Sequence, residues 1–200
     1  MKTNRSINKS KKALKDALII LMKAKEFNKI SITDLVNVAD LNRGTFYKHY
    51  QSTEELLNDL IDNVIGDLIQ SYREPYLQTN EFIIEELTTS SIKIFEHVDS
   101  YSDFYTNIVN SNVLPGFQNK ICDVLKQLAL QDLEVVVLNK NARINTDLFS
   151  SFNAYAIFGL IVEWIKSDFT YSPTYMAEQL IEILKYNSTK TIFNTSNKDY

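Results

Sequence analysis

Arg43, Thr45, Tyr47, Lys48 and His49 crowd into one short stretch, and their side chains are the types that read DNA. In the major groove Arg or Lys reads guanine, and Thr or Tyr offers a methyl, ring or hydroxyl contact, while backbone amides nearby hold phosphate. Phe46 and Tyr50 alternate with these residues as packing positions. The same stretch also fits an ordinary helical hairpin in which Phe46 and Tyr50 are core and Lys48 and His49 are merely solvated.

Other chemistry has little to work with. His49 and His97 are the only histidines, and no HExxH, CxxC or Gly-rich phosphate loop occurs. A catalytic centre, a metal site and a bound cofactor are therefore not expected. Cys122 is the only cysteine, so no intrachain disulfide can form, and a reducing cytoplasm is the expected compartment. The most apolar stretch, Ala154 to Val162, is followed by Glu163 and Lys166. It is far shorter than the roughly 20 residues that cross a bilayer, so it is expected to be buried in protein, with no membrane partner.

The elements that must position these residues are helical. Gly (4) and Pro (3) are scarce in 200 residues, against about 12% in average chains, and a sheet protein would need more turn residues. Charge divides the chain: the formal net charge is −4, yet residues 1–50 hold 11 basic and 4 acidic side chains and the remainder is strongly acidic. A basic head on an acidic body implies orientation at a charged partner, either nucleic acid or an anionic membrane surface.

Residues 1–10 read as a polar flexible arm. Leu14, Ala17, Leu18, Leu21 and Met22 then mark a helix that ends near Lys25. That places Lys9, Lys11, Lys12 and Lys15 at or before its start, where the helix dipole disfavours cations unless an outside anion compensates. Ser31 caps a short second helix, and a third covers Gly44 to Tyr50. Ser52 caps a long fourth helix, with Glu55 as its capping-box partner, running to about Arg73 because Pro75 follows Glu74. Further helices are expected at about 81–98, 102–113, 117–140, 148–168 and 174–187, and residues from Asn187 to Tyr200 as a fraying tail. The fold class is all-α: a three-helix helix-turn-helix unit over 8–52, a connecting helix from about 53, and a helical body over 53–190, about nine helices in all.

The run from Ile32 to Leu57 closely resembles the DNA-binding signature of the TetR family of bacterial transcriptional regulators. The resemblance covers about residues 8–70 and implies a homodimer that represses transcription from double-stranded palindromic DNA. Residue by residue, it implies that Thr33 is a phosphate contact of the second helix and that Asn42, Arg43, Gly44 and Thr45 form the turn and the start of the recognition helix. Tyr47 and His49 would lie near phosphates, Lys48 would reach a base edge or backbone, and Phe46 and Tyr50 would hold the reader. The family often has lysine where this chain has Thr53, which weakens one phosphate contact. The lysines at 9, 11, 12 and 15 are the expected electrostatic compensation.

In the body, Phe152 to Val162 is apolar around nearly its whole circumference, and a monomer's surface helix needs only one apolar side. With the following helix it suggests an intersubunit four-helix bundle through Tyr155, Phe158, Gly159, Val162, Ile165, Met176, Leu180, Ile181 and Leu184. One large monomer core is the alternative. Phe104, Tyr105, Phe117 and Phe149 are the candidate lining for a small apolar or aromatic effector, though aromatic residues in a helical chain more often fill the core. An effectorless repressor and a helical protein-interaction adaptor are the competing functions.

Overall fold

The computed structural model describes residues 2–74, 88–110, 116–132 and 145–186. Among these, nine α-helices and no strands are present. The head is built from α1 (Lys2–Ala24), α2 (Ile32–Val38), α3 (Arg43–Tyr47) and the start of α4 (Thr53–Arg73). The body adds the rest of α4 with α5 (Ile94–Ser100), α6 (Ser102–Asn110), α7 (Phe117–Asp132), α8 (Thr146–Lys166) and α9 (Pro173–Tyr186).

Several boundaries differ from the sequence reading: the third helix, expected over Gly44 to Tyr50, ends at Tyr47. The expected arm is part of α1, which begins at Lys2. Residues 2–10 contain no Gly or Pro, so nothing stops the helix of Leu14, Ala17 and Leu18 from propagating backward. The lysines at 9 to 15 consequently sit inside the helix, beyond the reach of its terminal dipole. The expected helix at 81–98 is also replaced where described: Thr89–Ser91 is a 3-10 turn and α5 starts only at Ile94. Residues 81–87, 111–113 and 133–140 of the expected helices, and the tail from Asn187, lie outside the described residues.

Chain reversals are set by side-chain chemistry. α2 ends in a Schellman arrangement, with the Leu41 amide donating to the Val36 carbonyl and the Asp40 amide to that of Asn37. Asp40 takes φ 52°, a left-handed geometry that Asp tolerates better than most side chains. This sharp stop separates α2 from α3. α8 ends the same way, Phe169 amide to Trp164 carbonyl, with Asp168 and Phe169 both left-handed.

Leu14, Leu18, Leu35, Phe46 and Leu56 are fully buried in the head, and Phe95, Phe104, Tyr105, Leu125 and Trp164 in the body. One contiguous core joins them along α4. α6 also reaches the head: the Asn107 side-chain amide donates to the Ile19 carbonyl, and Lys23 pairs with Asp103.

His97 lies in the last turn of α5. It is buried, with Nε2 2.9 Å from the Tyr105 hydroxyl and Nδ1 without a partner. Its neighbour Tyr101 donates to Asp67 of α4. Burial holds the imidazole down at about 4 despite the opposing pull of Asp67. The unfolded chain therefore takes up this proton first as pH falls. The folded state loses roughly 3 kcal/mol between the unfolded value near 6.5 and about 4, and no more from this group below that. Urea midpoints of the wild type should decline across that window, and His97→Gln should flatten the decline. An equal slope in both proteins would assign the acid sensitivity elsewhere.

Candidate nucleic-acid interface

α2 is fixed by a complete capping box: the Asp34 amide donates to Ser31 Oγ, and the Ser31 amide donates to Asp34 Oδ2 at 2.9 Å. Lys25 donates to the same carboxylate, and this bond, with those from Ser31, holds Asp34 below the ordinary carboxylate range. α3 is started by Asn42, whose Oδ1 accepts from the Thr45 amide at 2.8 Å and the Thr45 hydroxyl at 3.1 Å. Asn42 thus aims the recognition helix while its side-chain oxygen is committed to the cap. A Cβ at Gly44 would stand 3.2 Å from that oxygen, so a larger residue there would press on the cap.

α2 and α3 bring Thr33, Arg43 and Tyr47 together on one exposed ridge. The Arg43 guanidinium leans between the Thr33 hydroxyl at 3.5 Å and the Tyr47 hydroxyl at 3.4 Å. These contacts are long, so they orient the guanidinium without using up its donors. Lys48 stands exposed beside them. Beneath, Phe46 is fully buried, packed edge-on to Tyr47 and tilted against Tyr50.

Two family-implied phosphate contacts are arranged differently. His49 is half-buried, with Nε2 2.7 Å from Ser10 Oγ of α1. Ser10 Oγ donates to the Ile7 carbonyl, which leaves it to accept from the imidazole. Burial, then the charges of Lys11 and Lys48, lower the His49 pKa. The side chain accordingly pins α3 to α1 as a neutral ring. Thr53 donates its hydroxyl to Glu54, a carboxylate that itself repels phosphate.

The lysine cluster is largely engaged as well. Lys12 pairs with Asp16, while Lys11 and Lys15 both reach Asp59 of α4, at 3.3 and 3.0 Å. Tyr50 donates to the same Asp59 oxygen at 2.6 Å. Lys11 and Lys15 are thereby directed to Asp59, while Lys12 keeps most of its side chain exposed beside Asp16. The role of Asp59 had no signal at short range, because its lysine partners lie more than forty residues away in sequence. A buried tyrosine hydroxyl needing an acceptor was the one available clue.

In the body, the sequence-chosen dimer residues separate into two sets. Phe158, Ile165, Met176, Leu180 and Ile181 are buried within their own chain, and Val162 and Leu184 are half-buried. Tyr155 and Gly159 are exposed, on a stripe with Leu148, Phe152 and Ala156 along α8. Tyr175, Ile183 and Tyr186 are exposed on α9. Although α8 is long and apolar enough to cross a membrane, only 33% of its most apolar window is buried. Among the described residues, Ala154, Phe158 and Ile161 of the Ala154–Val162 segment are buried within the chain, whereas Tyr155, Ala156 and Gly159 are exposed.

The proposed aromatic lining is packed. Phe104, Tyr105 and Phe117 are buried and meet edge to face at 5.6, 5.7 and 6.4 Å, while Phe149 is partly exposed on α8. An open groove of about 540 Å³ lies instead between α4 and α7, lined by Ile69, Arg73, Lys120, Val124 and Leu128 among others.

Residues 85–186 match a TetR C-terminal family model for a transcriptional regulator C-terminal region. The HTH-type dhaKLM operon transcriptional activator DhaS of Lactococcus lactis is 30% identical over 97 residues, covering 48% of this chain and 45% of that protein. YxbF of Bacillus subtilis, described as an uncharacterized HTH-type transcriptional regulator, is 18% identical over 172 residues, 86% of this chain and 43% of its own length. The chain thus spans less than half the length of these relatives. A solved structure of the dihydroxyacetone kinase operon activator DhaS shares the fold, with a TM-score of 0.61 at 21% identity over 89% of this chain and 95% of that one.

Proposed function

Because the chain belongs to the TetR family of transcriptional regulators, we propose that it is a homodimeric, sequence-specific reader of a palindromic DNA operator, acting in the cytoplasm. The observation that carries this reading is the Thr33–Arg43–Tyr47 ridge, exposed on a helix-turn-helix whose opposite face is core. In the proposed division of the chain, residues 8–52 form the reader, and the helices from Thr53 onward carry pairing and control. Two copies of α3 set about 34–36 Å apart would meet successive major-groove faces. Thr33 and Lys48 supply phosphate contacts, Arg43 reads a guanine, and Asn42, Gly44, Phe46, Tyr50 and His49 position them.

Selection of bound sequences from a random DNA pool, followed by titration of the recovered site and a scrambled site at one stated salt concentration, tests the reading. Arg43→Ala should weaken the selected site by 1–3 kcal/mol, about 5- to 150-fold, and the scrambled site much less. Equal binding of both sites by the wild-type dimer would reject it.

Repression follows if the operator overlaps a promoter, since the bound dimer excludes polymerase. The printed role of DhaS as an activator favours a second reading, recruitment from an upstream site. Reporter output with the operator moved from the promoter to a position upstream separates the two. Regulation is assigned to the α4–α7 groove, whose Arg73, Lys120 and apolar walls suit a small amphipathic effector. α4 runs from this groove to the reader, so a ligand that favours one α4 position would change the spacing of the two heads. Thermal stabilisation across a metabolite panel, then release from operator, checks this assignment.

A further inference from the structure

We propose that Asp59 is a specificity-setting residue of the reader: it withholds Lys11 and Lys15 from the DNA backbone and uses their charge to fix the end of the recognition helix through Tyr50. The inference rests on the DNA-reading function proposed above.

Asp59 lies on α4, and its Oδ2 accepts from three groups on two other segments: Tyr50 just beyond α3, and Lys11 and Lys15 of α1. Its Oδ1 accepts from Asn63, which also takes a bond from Lys15 at 2.7 Å. Lys15 is largely covered, its side chain 13% exposed, and the Lys11 ammonium lies 5.1 Å from the centre of the Tyr50 ring. Tyr50 is buried. One carboxylate therefore ties α1, α4 and the exit of α3 into a single unit. Burial by itself would raise the Asp59 pKa, but the bonds from Tyr50 and the lysines outweigh it and hold the group at about 2, ionised wherever the protein would bind DNA.

This arrangement has opposite effects on the two kinds of binding. Contacts to phosphate raise affinity for every sequence and steepen its salt dependence, whereas orientation of the recognition helix raises affinity for the correct site. Committing two cations to an internal acid gives up the first effect and strengthens the second. An acid that merely stabilised the head would raise binding to both DNAs alike.

The experiment measures affinity for selected and scrambled sites across a salt series. Asp59→Asn keeps an oxygen acceptor for Tyr50 but releases both lysines. The salt slope should steepen by about one to two units and scrambled-site affinity rise about tenfold, so that the ratio of selected to scrambled binding falls. Asp59→Glu, which restores the charge, should return the slope toward that of the wild type. Lys15→Gln alone should leave the slope within about half a unit, because that lysine is not on phosphate. Tyr50→Phe should lower the ratio with the slope unchanged. If Asp59→Asn does not fold, the Lys15 and Tyr50 variants decide. An unchanged ratio and slope in Asp59→Asn, equal weakening of both sites, or a slope lost with Lys15→Gln would each overturn the proposal. A wild type with no preference between the sites would instead remove the DNA-reading function itself, and this inference with it.

Discussion

Phe152→Glu should yield a folded monomer whose affinity for a palindromic operator has dropped by at least about 100-fold, the scale of the advantage lost when two linked binding events become one. Phe152 is 63% exposed in the protomer, on the α8 stripe with Leu148, Tyr155 and Ala156. Replacing it removes no intrachain core contact of consequence. In a two-fold interface the change occurs on both copies, so two carboxylates would have to be desolvated close together. Light scattering should report half the mass, with a thermal midpoint close to that of the dissociated wild-type protomer. The contrast is Phe158→Glu, three residues from the stripe member Tyr155 but buried: it should unfold the body rather than split the dimer. A Phe152→Glu dimer with intact operator binding would show that another surface pairs the subunits.

Phe46→Ala should remove roughly 3–5 kcal/mol of stability, the typical loss for a fully buried Phe, and abolish binding to every DNA sequence. The ring has no exposed surface and supports both Tyr47 and Tyr50. Without it, the ridge side chain at 47 and the anchor at 50 lose their common support. Stability of that size is a large part of what a domain has. Phe46→Leu keeps most of the volume and should lose less than about 1.5 kcal/mol, with partial DNA binding. Urea unfolding and DNA titration together distinguish this support role from that of Arg43, whose truncation should affect the selected site and leave stability nearly untouched. Comparable unfolding curves for Phe46→Ala and wild type would refute the packing assignment.

The local features were readable from the sequence because their physics is local. Ser31 with Asp34, Ser52 with the Glu55 amide, and the Arg43–Tyr50 segment all work across three or four residues. The box at Ser52 closes one residue early, as Glu55 accepts from the Gln51 amide, a difference of geometry within the same short span. Longer-range features were hidden for a different reason. A helix that is apolar all round, as α8 nearly is, carries no phase to say which side its own chain covers, and five of nine chosen pairing residues proved to be core. The aromatic residues of α6 and α7 were ambiguous between lining a cavity and filling it, and only their mutual edge-to-face packing resolves the matter. The links from Ser10 to His49 and from Lys15 to Asp59 span tens of residues, so no window along the chain could display them. The polar start of α1 had no apolar period to mark it, yet needed none once nucleated downstream.

Under the proposed pairing, the stripe of α8 that is exposed among the described residues also bears on the life of the chain before assembly. A newly made protomer presents Leu148, Phe152 and Tyr155 to water at the concentration at which the gene is expressed. Pairing is second order in that concentration, so scarce protein spends longest in the form most open to proteases, chaperones and bilayers. Abundance would then feed back on lifetime: the fewer the copies, the faster each is removed. A regulator built this way would disappear from the cell abruptly once its synthesis stops, instead of fading at a constant rate.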